Sequence, residues 1–279
     1  MPSDTNTIEY PDSGRYEDCF IAFLDILGFK KMVLESHNNR DILQNIIESM
    51  NIVGAIPSGG KKVSKDSGGM STIQIRRRFF SDTLVFFLKE DPEDIAQLFF
   101  VIRYIQDRLW ERGICLRGSI VRGQMYWTDN DDNITVGEGI IDAYECESSL
   151  AIYPRIIVSK ELYDYIKSKG CPSDPFGIGG DLAKYILEDY DGITFLDLLN
   201  PDVIRKEGES IVKYERDRPS NIPLKKKEFT IEYNPNAKSQ HMKVMGDLDE
   251  VIKKNIDSTD EKIRQKYAWL KTYRSKYNG

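Results

Sequence analysis

The chain has only two histidines in 279 residues, His37 and His241, and four cysteines, Cys19, Cys115, Cys146 and Cys171, none in a C-x-x-C pair. So little histidine argues against a His-ligated metal and against His-dependent nucleophilic catalysis. Scattered thiols, two of them inside apolar runs, suit neither a disulfide framework nor a zinc site; they point to reduced cysteines and a cytoplasmic setting. A basic surplus is missing as well: 39 Lys+Arg face 45 Asp+Glu, and 39 − 45 = −6. That balance disfavours nucleic acid as a partner, because phosphate neutralisation dominates such affinity. No run of about 18 apolar residues occurs, so no membrane span is expected. The opening residues, MPSDTNTIEYPDSGRYED, are polar and acidic, unlike a signal or transit segment. What the chain does have is 40% apolar and 11% aromatic residues, which excludes disorder throughout and is enough for a folded, soluble core.

Residues 1–18 read as a flexible lead-in. Cys19-Phe-Ile-Ala-Phe-Leu-Asp25-Ile reads as a buried strand, broken at Gly28. Apolar spacing from Phe29 to about Val53 predicts one or two helices, with a possible break at His37-Asn-Asn39. Residues 54–72 are rich in Gly, Ser and Lys and read as a loop. Ile73–Phe80 and Thr83–Leu88, around Ser81-Asp82, predict a hairpin. A helix is expected from Pro92 to about Arg112, and a strand from Ile114 to Val121 or on to Trp127. Asp129–Asn133 reads as a turn rather than a calcium loop, since it lacks that loop's Gly and distant Glu. A helix over Gly139–Leu150, a strand over Arg155–Val158 and a Ser159-capped helix follow.

The order β-α-β-β-α-β, then α-β-α, predicts an α+β ferredoxin-like or palm core with an αβ extension and C-terminal helices. Lys184–Asp191 and Ile193–Leu199 suit a hairpin about Asp191-Gly192. The expected divisions are 19–165 for the core, 166–242 for a strand and loop extension, and 243–279 for a helical tail over Asp247–Ile256 and Thr259–Tyr277. Gly177–Gly180 and Lys225–Lys227 read as a loop and a solvated run.

Two aspartates stand at strand ends. Asp25 closes the first strand and Asp82 lies in the hairpin tip. In this topology both can fall side by side on adjacent central strands, where two carboxylates repel unless a cation lies between them. Hard oxygen ligands without nearby His or Cys suit Mg²⁺ or Mn²⁺, with a phosphate completing the shell. The turn Gly28-Phe29-Lys30 into a helix offers backbone N–H groups to that phosphate. The bland reading stays open: an N-cap and a turn residue.

The same residues resemble the class III nucleotidyl cyclases. Phe23-Leu-Asp25-Ile-Leu-Gly28-Phe29 resembles their F-x-D-I-x-G-F segment, and Phe80-Ser-Asp82-Thr-Leu-Val their second metal-aspartate hairpin. Leu116-Arg117-Gly-Ser-Ile120-Val-Arg-Gly123, Gly137–Glu147 and Pro154–Tyr163 resemble the next strand, helix and strand-helix, in order. The flavour is closest to the Pycsar pyrimidine cyclases of bacterial anti-phage defence, with Arg117-Gly-Ser-Ile120 and Ala143-Tyr-Glu-Cys-Glu147. The resemblance implies cyclisation of UTP, ahead of CTP, to a 3′,5′-cyclic monophosphate that a separate effector reads. It also implies two divalent cations on Asp25, the Ile26 carbonyl and Asp82, and a head-to-tail homodimer with sites between subunits.

Arg117 and Arg155 are then candidate phosphate-facing cations, along with Arg122, and Gly28, Phe29 and Lys30 candidate phosphate contacts. Arg78, four residues before Asp82, stands where purine cyclases select the base; an Arg there can donate to a pyrimidine carbonyl. Ile141 and Glu145 replace the Asn and Arg of the purine enzymes. That departure favours one rival reading, a catalytically silent cyclase-like nucleotide-binding or regulatory domain, which both retained aspartates oppose; a purine cyclase is a further alternative. A diguanylate cyclase is a poorer match, since Phe80-Ser-Asp82-Thr-Leu is no G-G-[DE]-E-F hairpin.

Overall fold

The computed structural model describes residues 15–54, 59–63, 70–128, 134–172, 180–200 and 237–277. The first strand, β1 (Glu17–Ile26), leads into helices α1 (Phe29–Ser36) and α2 (Arg40–Gly54). Their break falls at His37–Asn39, as the spacing predicts, and Asn39 Oδ1 accepts from the N–H groups of Asp41 and Ile42 to start the second helix. Strands β2 (Gly59–Val63) and β3 (Met70–Gln74) pair with each other in the stretch read as loop, and β4 (Arg76–Phe80) and β5 (Thr83–Lys89) form the expected hairpin. The single strand expected from Ile73 to Phe80 is thus split at Ile75. Both Ile73 and Ile75, two residues apart and so on one face, are buried in the main core.

Helix α3 (Ile95–Trp110) starts three residues after Pro92. Then come β6 (Leu116–Trp127), β7 (Thr135–Val136), α4 (Glu138–Leu150), β8 (Ile156–Val158) and α5 (Lys160–Lys169), the last capped by Ser159 Oγ accepting from Leu162 N–H. A 3₁₀ turn at Leu182–Tyr185, the hairpin β9 (Ile186–Glu188) and β10 (Thr194–Leu196), and helices α6 (Ala237–Asn255) and α7 (Glu261–Ser275) complete the order. Helix α6 begins ten residues before the expected Asp247. The turn at Asp129–Asn133, most of 200–242 with Lys225–Lys227, and Gly177–Gly179 lie outside the described residues.

One sheet runs β4-β5-β1-β6-β8-β10-β9, with β7 on the end of β6. Counted along the core motif, its first four strands stand in the order second, third, first, fourth. This is the ferredoxin-like α+β arrangement anticipated from the sequence. β1 pairs antiparallel with β5 and β6, and β6 pairs parallel with β8. Alternation along β1 then divides the molecule. Phe20, Ala22, Leu24 and Ile26 face the main core, shared with Leu84, Phe86, α3 and the C-terminal helices. Cys19 and Ile21 face a smaller cluster with Phe87, Val121 and Met125 beneath α4. α4 lies close on β6: a Cβ added to Gly123 would meet Gly139 Cα at 2.6 Å, so glycine is needed at that crossing. Ser119 Oγ donates to the Ala143 carbonyl at 2.6 Å across the same contact.

Candidate active site

Asp25 lies one residue before the end of β1, opposite Thr83 of β5 and Arg117 of β6. Its side chain leaves the sheet on the α4 face, because Cys19, Ile21 and Phe23 at two-residue spacing do so. Asp82 follows Ser81 in the tip of the β4–β5 hairpin, where Ser81 has φ 56°. The tip is tied to β1 by Ile26 N–H donating to the Asp82 carbonyl at 3.2 Å, and Leu27 N–H donates to the Cys115 carbonyl at 2.9 Å. Three chain segments therefore converge on the end of β1. The Asp82 charge reaches Asp25 there.

A third carboxylate joins them. Glu147, in the last turn of α4, is 4% exposed. Arg117 stands between: its Nε donates to Asp25 Oδ2 at 2.8 Å and lies 3.1 Å from Glu147 Oε1, the second contact being an ion pair off the N–H direction. Its Nη1 donates to the Ala151 carbonyl at 3.4 Å. Burial pushes the Asp25 carboxyl above its ordinary value; Arg117 pulls it down and Asp82 pushes it further up. Burial likewise raises Glu147, against Arg117, with Asp25 and Asp82 adding to the rise. A fifth charged group is Lys266 of α7, which feels Arg117 and Asp25 and whose ammonium burial holds below its ordinary value.

Neither Glu147 nor Lys266 is singled out as a site residue by the sequence reading. Glu147 carried a signal, the closing acid of the Ala143–Glu147 segment. Lys266 carried none beyond standing one residue off the inward stripe Ile263, Tyr267, Leu270.

The other candidates divide. Gly28 caps α1 in the left-handed region at φ 80° without a side chain, leaving first-turn N–H groups free of a side-chain cap. Phe29 packs on the main core and Lys30 is exposed. Arg78 shares the sheet face of Asp25, since Arg78 pairs with Val85 and Asp25 with Thr83. Its guanidinium donates to Thr135 Oγ1 at 2.9 Å and to the Thr128 carbonyl at 3.3 Å. Arg122 is five residues along β6 from Arg117 and so leaves the opposite face, toward Glu90 and Tyr165. The structure does not bring Arg155 to the cluster. That side chain is fully buried, held by Asp189 and, at 2.6 Å, by Asp191, with Tyr153 and Trp269 over its guanidinium. Glu145 and Ile141 are exposed on the outer side of α4.

Asp25, Asp82 and the Ile26 carbonyl would supply oxygen donors alone, and Arg117 takes one Asp25 oxygen. That chemistry fits a hard divalent cation. Among the described residues no cluster of three or more His, Cys, Asp or Glu stands ready to hold a metal, so a bound phosphate or water would have to complete the shell. No described helix is long and apolar enough to cross a membrane.

No protein-family model matches the chain, and no curated protein matches it. Solved structures do. A class III adenylyl cyclase-like ATP-binding protein from Pseudomonas aeruginosa aligns at 14% identity and TM-score 0.36, over 53% of this chain and 34% of that one, so the match spans about a third of the relative. The guanylyl cyclase domain of the RhoGC fusion protein from Blastocladiella emersonii aligns at 17% identity and TM-score 0.39, over 64% of this chain and 94% of that one. The catalytic core of a rhodopsin-guanylyl cyclase with converted specificity, in complex with ATPαS, aligns at 19% identity and TM-score 0.38, over 64% and 94%.

Proposed function

We propose that the chain is a class III-type nucleotide cyclase acting on a pyrimidine nucleoside triphosphate, UTP ahead of CTP, with two Mn²⁺ or Mg²⁺ ions. One observation carries the reading: Ile26 N–H donates to the Asp82 carbonyl at 3.2 Å, so the segments that carry Asp25 and Asp82, 57 positions apart in sequence (82 − 25), adjoin at the end of β1. The ordered set of cyclase-like segments from Phe23 to Tyr163 supports it independently. Asp25, Asp82 and the Ile26 carbonyl would hold the ions, which when bound neutralise phosphate charge and acidify the 3′-hydroxyl. The reaction joins the 3′-oxygen to the α-phosphorus and breaks the α–β bridge; pyrophosphate leaves and the hydroxyl proton passes to solvent. Gly28 and Lys30 at the start of α1 would bind phosphate through backbone N–H groups and charge.

Arg117, bridging Asp25 and Glu147, is poised to turn toward the α-phosphate once a cation takes its place on Asp25. Arg78, on the same face, would exchange Thr135 for a base carbonyl. The proposed homodimer is supported by exposed apolar side chains on and beside α4, Ile141, Tyr144 and Ile152. A cytoplasmic second-messenger role in anti-phage defence, with a cyclic-nucleotide-responsive effector, follows from the resemblance.

The test incubates the full chain with Mn²⁺ and each of the four NTPs, reading pyrophosphate and cyclic product. UTP should give the most product, and Asp25→Ala or Asp82→Ala should lower the rate at least about a hundredfold with unchanged circular dichroism. Product forming equally well in either variant would reject the scheme. A purine triphosphate as the best substrate would reject the pyrimidine assignment alone.

A further inference from the structure

We propose that Glu147 is a positioning residue for the metal site: it takes over the Arg117 guanidinium when a divalent cation occupies Asp25, and so frees that carboxylate for the ion. The identity of the cation rests on the cyclase reading; the arrangement of the three side chains does not. Arg117 Nε donates to Asp25 Oδ2 at 2.8 Å and stands 3.1 Å from Glu147 Oε1. One guanidinium nitrogen is thus within reach of both acids and gives its N–H to Asp25 alone. Glu147 is buried, and among the described residues no hydrogen bond ends on its Oε1. A buried carboxylate oxygen without a donor is costly, and Arg117 is the cation beside it.

The receiving site is built from the end of α4. Strand register fixes Arg117 of β6 directly opposite Asp25 of β1. The Gly123–Gly139 crossing and the Ser119–Ala143 hydrogen bond hold α4 on that same strand. Its last turn brings Glu147, and the carbonyl of its C-cap residue, Ala151, accepts from Arg117 Nη1 at 3.4 Å. A helix C-terminus itself favours a cation. Turning the Nε–H from Asp25 to Glu147 therefore keeps the guanidinium against α4.

Charge sets the direction. A guanidinium and a divalent ion on one carboxylate repel each other. Among the described residues Arg117 pairs with Asp25 and Glu147; without Glu147 it would keep Asp25 as its acidic partner and compete with the ion for it. With Glu147 present, one charge-assisted contact replaces another, and Asp25 is released at small cost. The rival role for Glu147, a structural counter-charge, leaves Arg117 on Asp25 throughout.

Titration of the full chain with Mn²⁺ and no nucleotide, followed by the electron paramagnetic resonance of the free ion, separates the two. Glu147→Gln should bind Mn²⁺ about tenfold more weakly than wild type. Arg117→Ala should bind it more tightly, and adding Glu147→Gln to Arg117→Ala should change the affinity less than about threefold. Glu147→Ala serves if the Gln variant melts early. Unchanged affinity in a folded Glu147 variant overturns the proposal. A loss of equal size with and without Arg117 overturns it too, since Glu147 then acts on the ion by its charge alone. If wild type binds Mn²⁺ and Asp25→Ala does not, either of those results leaves the metal site standing; a wild-type chain that binds no Mn²⁺ removes both. If the Arg117-dependent effect holds but none of the four NTPs is cyclised, the Glu147 assignment stands and the cyclase reading falls.

Discussion

Arg117 serves two carboxylates at once, and the two lean on it unequally. Asp25 receives its hydrogen bond and sits near solvent; Glu147 is buried and has little besides the ion pair. Arg117→Ala should therefore destabilise the fold by about 2 kcal/mol, less than for a fully buried pair because the arginine is partly exposed. Most of that loss should return in the double variant Arg117→Ala/Glu147→Gln, which removes the stranded charge. Urea midpoints at constant slope measure both. If the second substitution restores nothing, Glu147 does not depend on Arg117. At this scale the sequence was legible where chemistry is local: an acid ending an apolar strand and an acid in a two-residue tip are visible as such. It was not legible for Arg155, whose strand-edge position looks the same whether it meets a phosphate or an internal acid.

At the scale of elements, Arg155 joins β8 to the β9–β10 turn and to α7. It pairs with Asp189 and Asp191, lies under Trp269, and Trp269 also bonds Asp189. Trp269 in turn stacks on Tyr153 with centroids 5.6 Å apart. Arg155→Ala should cost about 3–5 kcal/mol, since two acids lose a buried partner. Arg155→Lys should recover only part, because an ammonium cannot span both acids as the guanidinium fork does. Thermal melts decide it. Near-native stability with lost activity would return Arg155 to the substrate. Most elements here were readable from periodicity and punctuation: the break at His37–Asn39, the Ser159 cap, the turn at Gly192. The β2–β3 pair was hidden because its Gly, Ser and Lys composition resembles a loop, and strand pairing there comes from a neighbour and not from local preference.

For the whole molecule, α3 packs between the sheet and α6 and holds a partly buried acid, Asp107, 21% exposed at its side chain, at the edge of the main core. Burial pushes Asp107 from 3.8 to about 6, with Arg103 opposing. The folded state then holds the proton that the unfolded chain has released, so stability falls as pH rises from about 4 to about 6. Asp107→Asn should remove that part of the slope, on the order of 1–2 kcal/mol across the window. Denaturant titrations of both proteins from pH 4 to 7 measure it; parallel curves would show that Asp107 titrates normally.

The sequence by itself determined the order of the core elements, the α+β class and the two aspartates. Each depends on residues within a few positions of one another, through side-chain alternation, helical spacing and turn chemistry. Tertiary structure alone decided which cation meets which acid. Arg117 and Glu147 are brought to Asp25 by strand register and by the glycine-tight crossing of α4 on β6. Those are contacts between distant segments, and packing and register choose them where local pattern is silent.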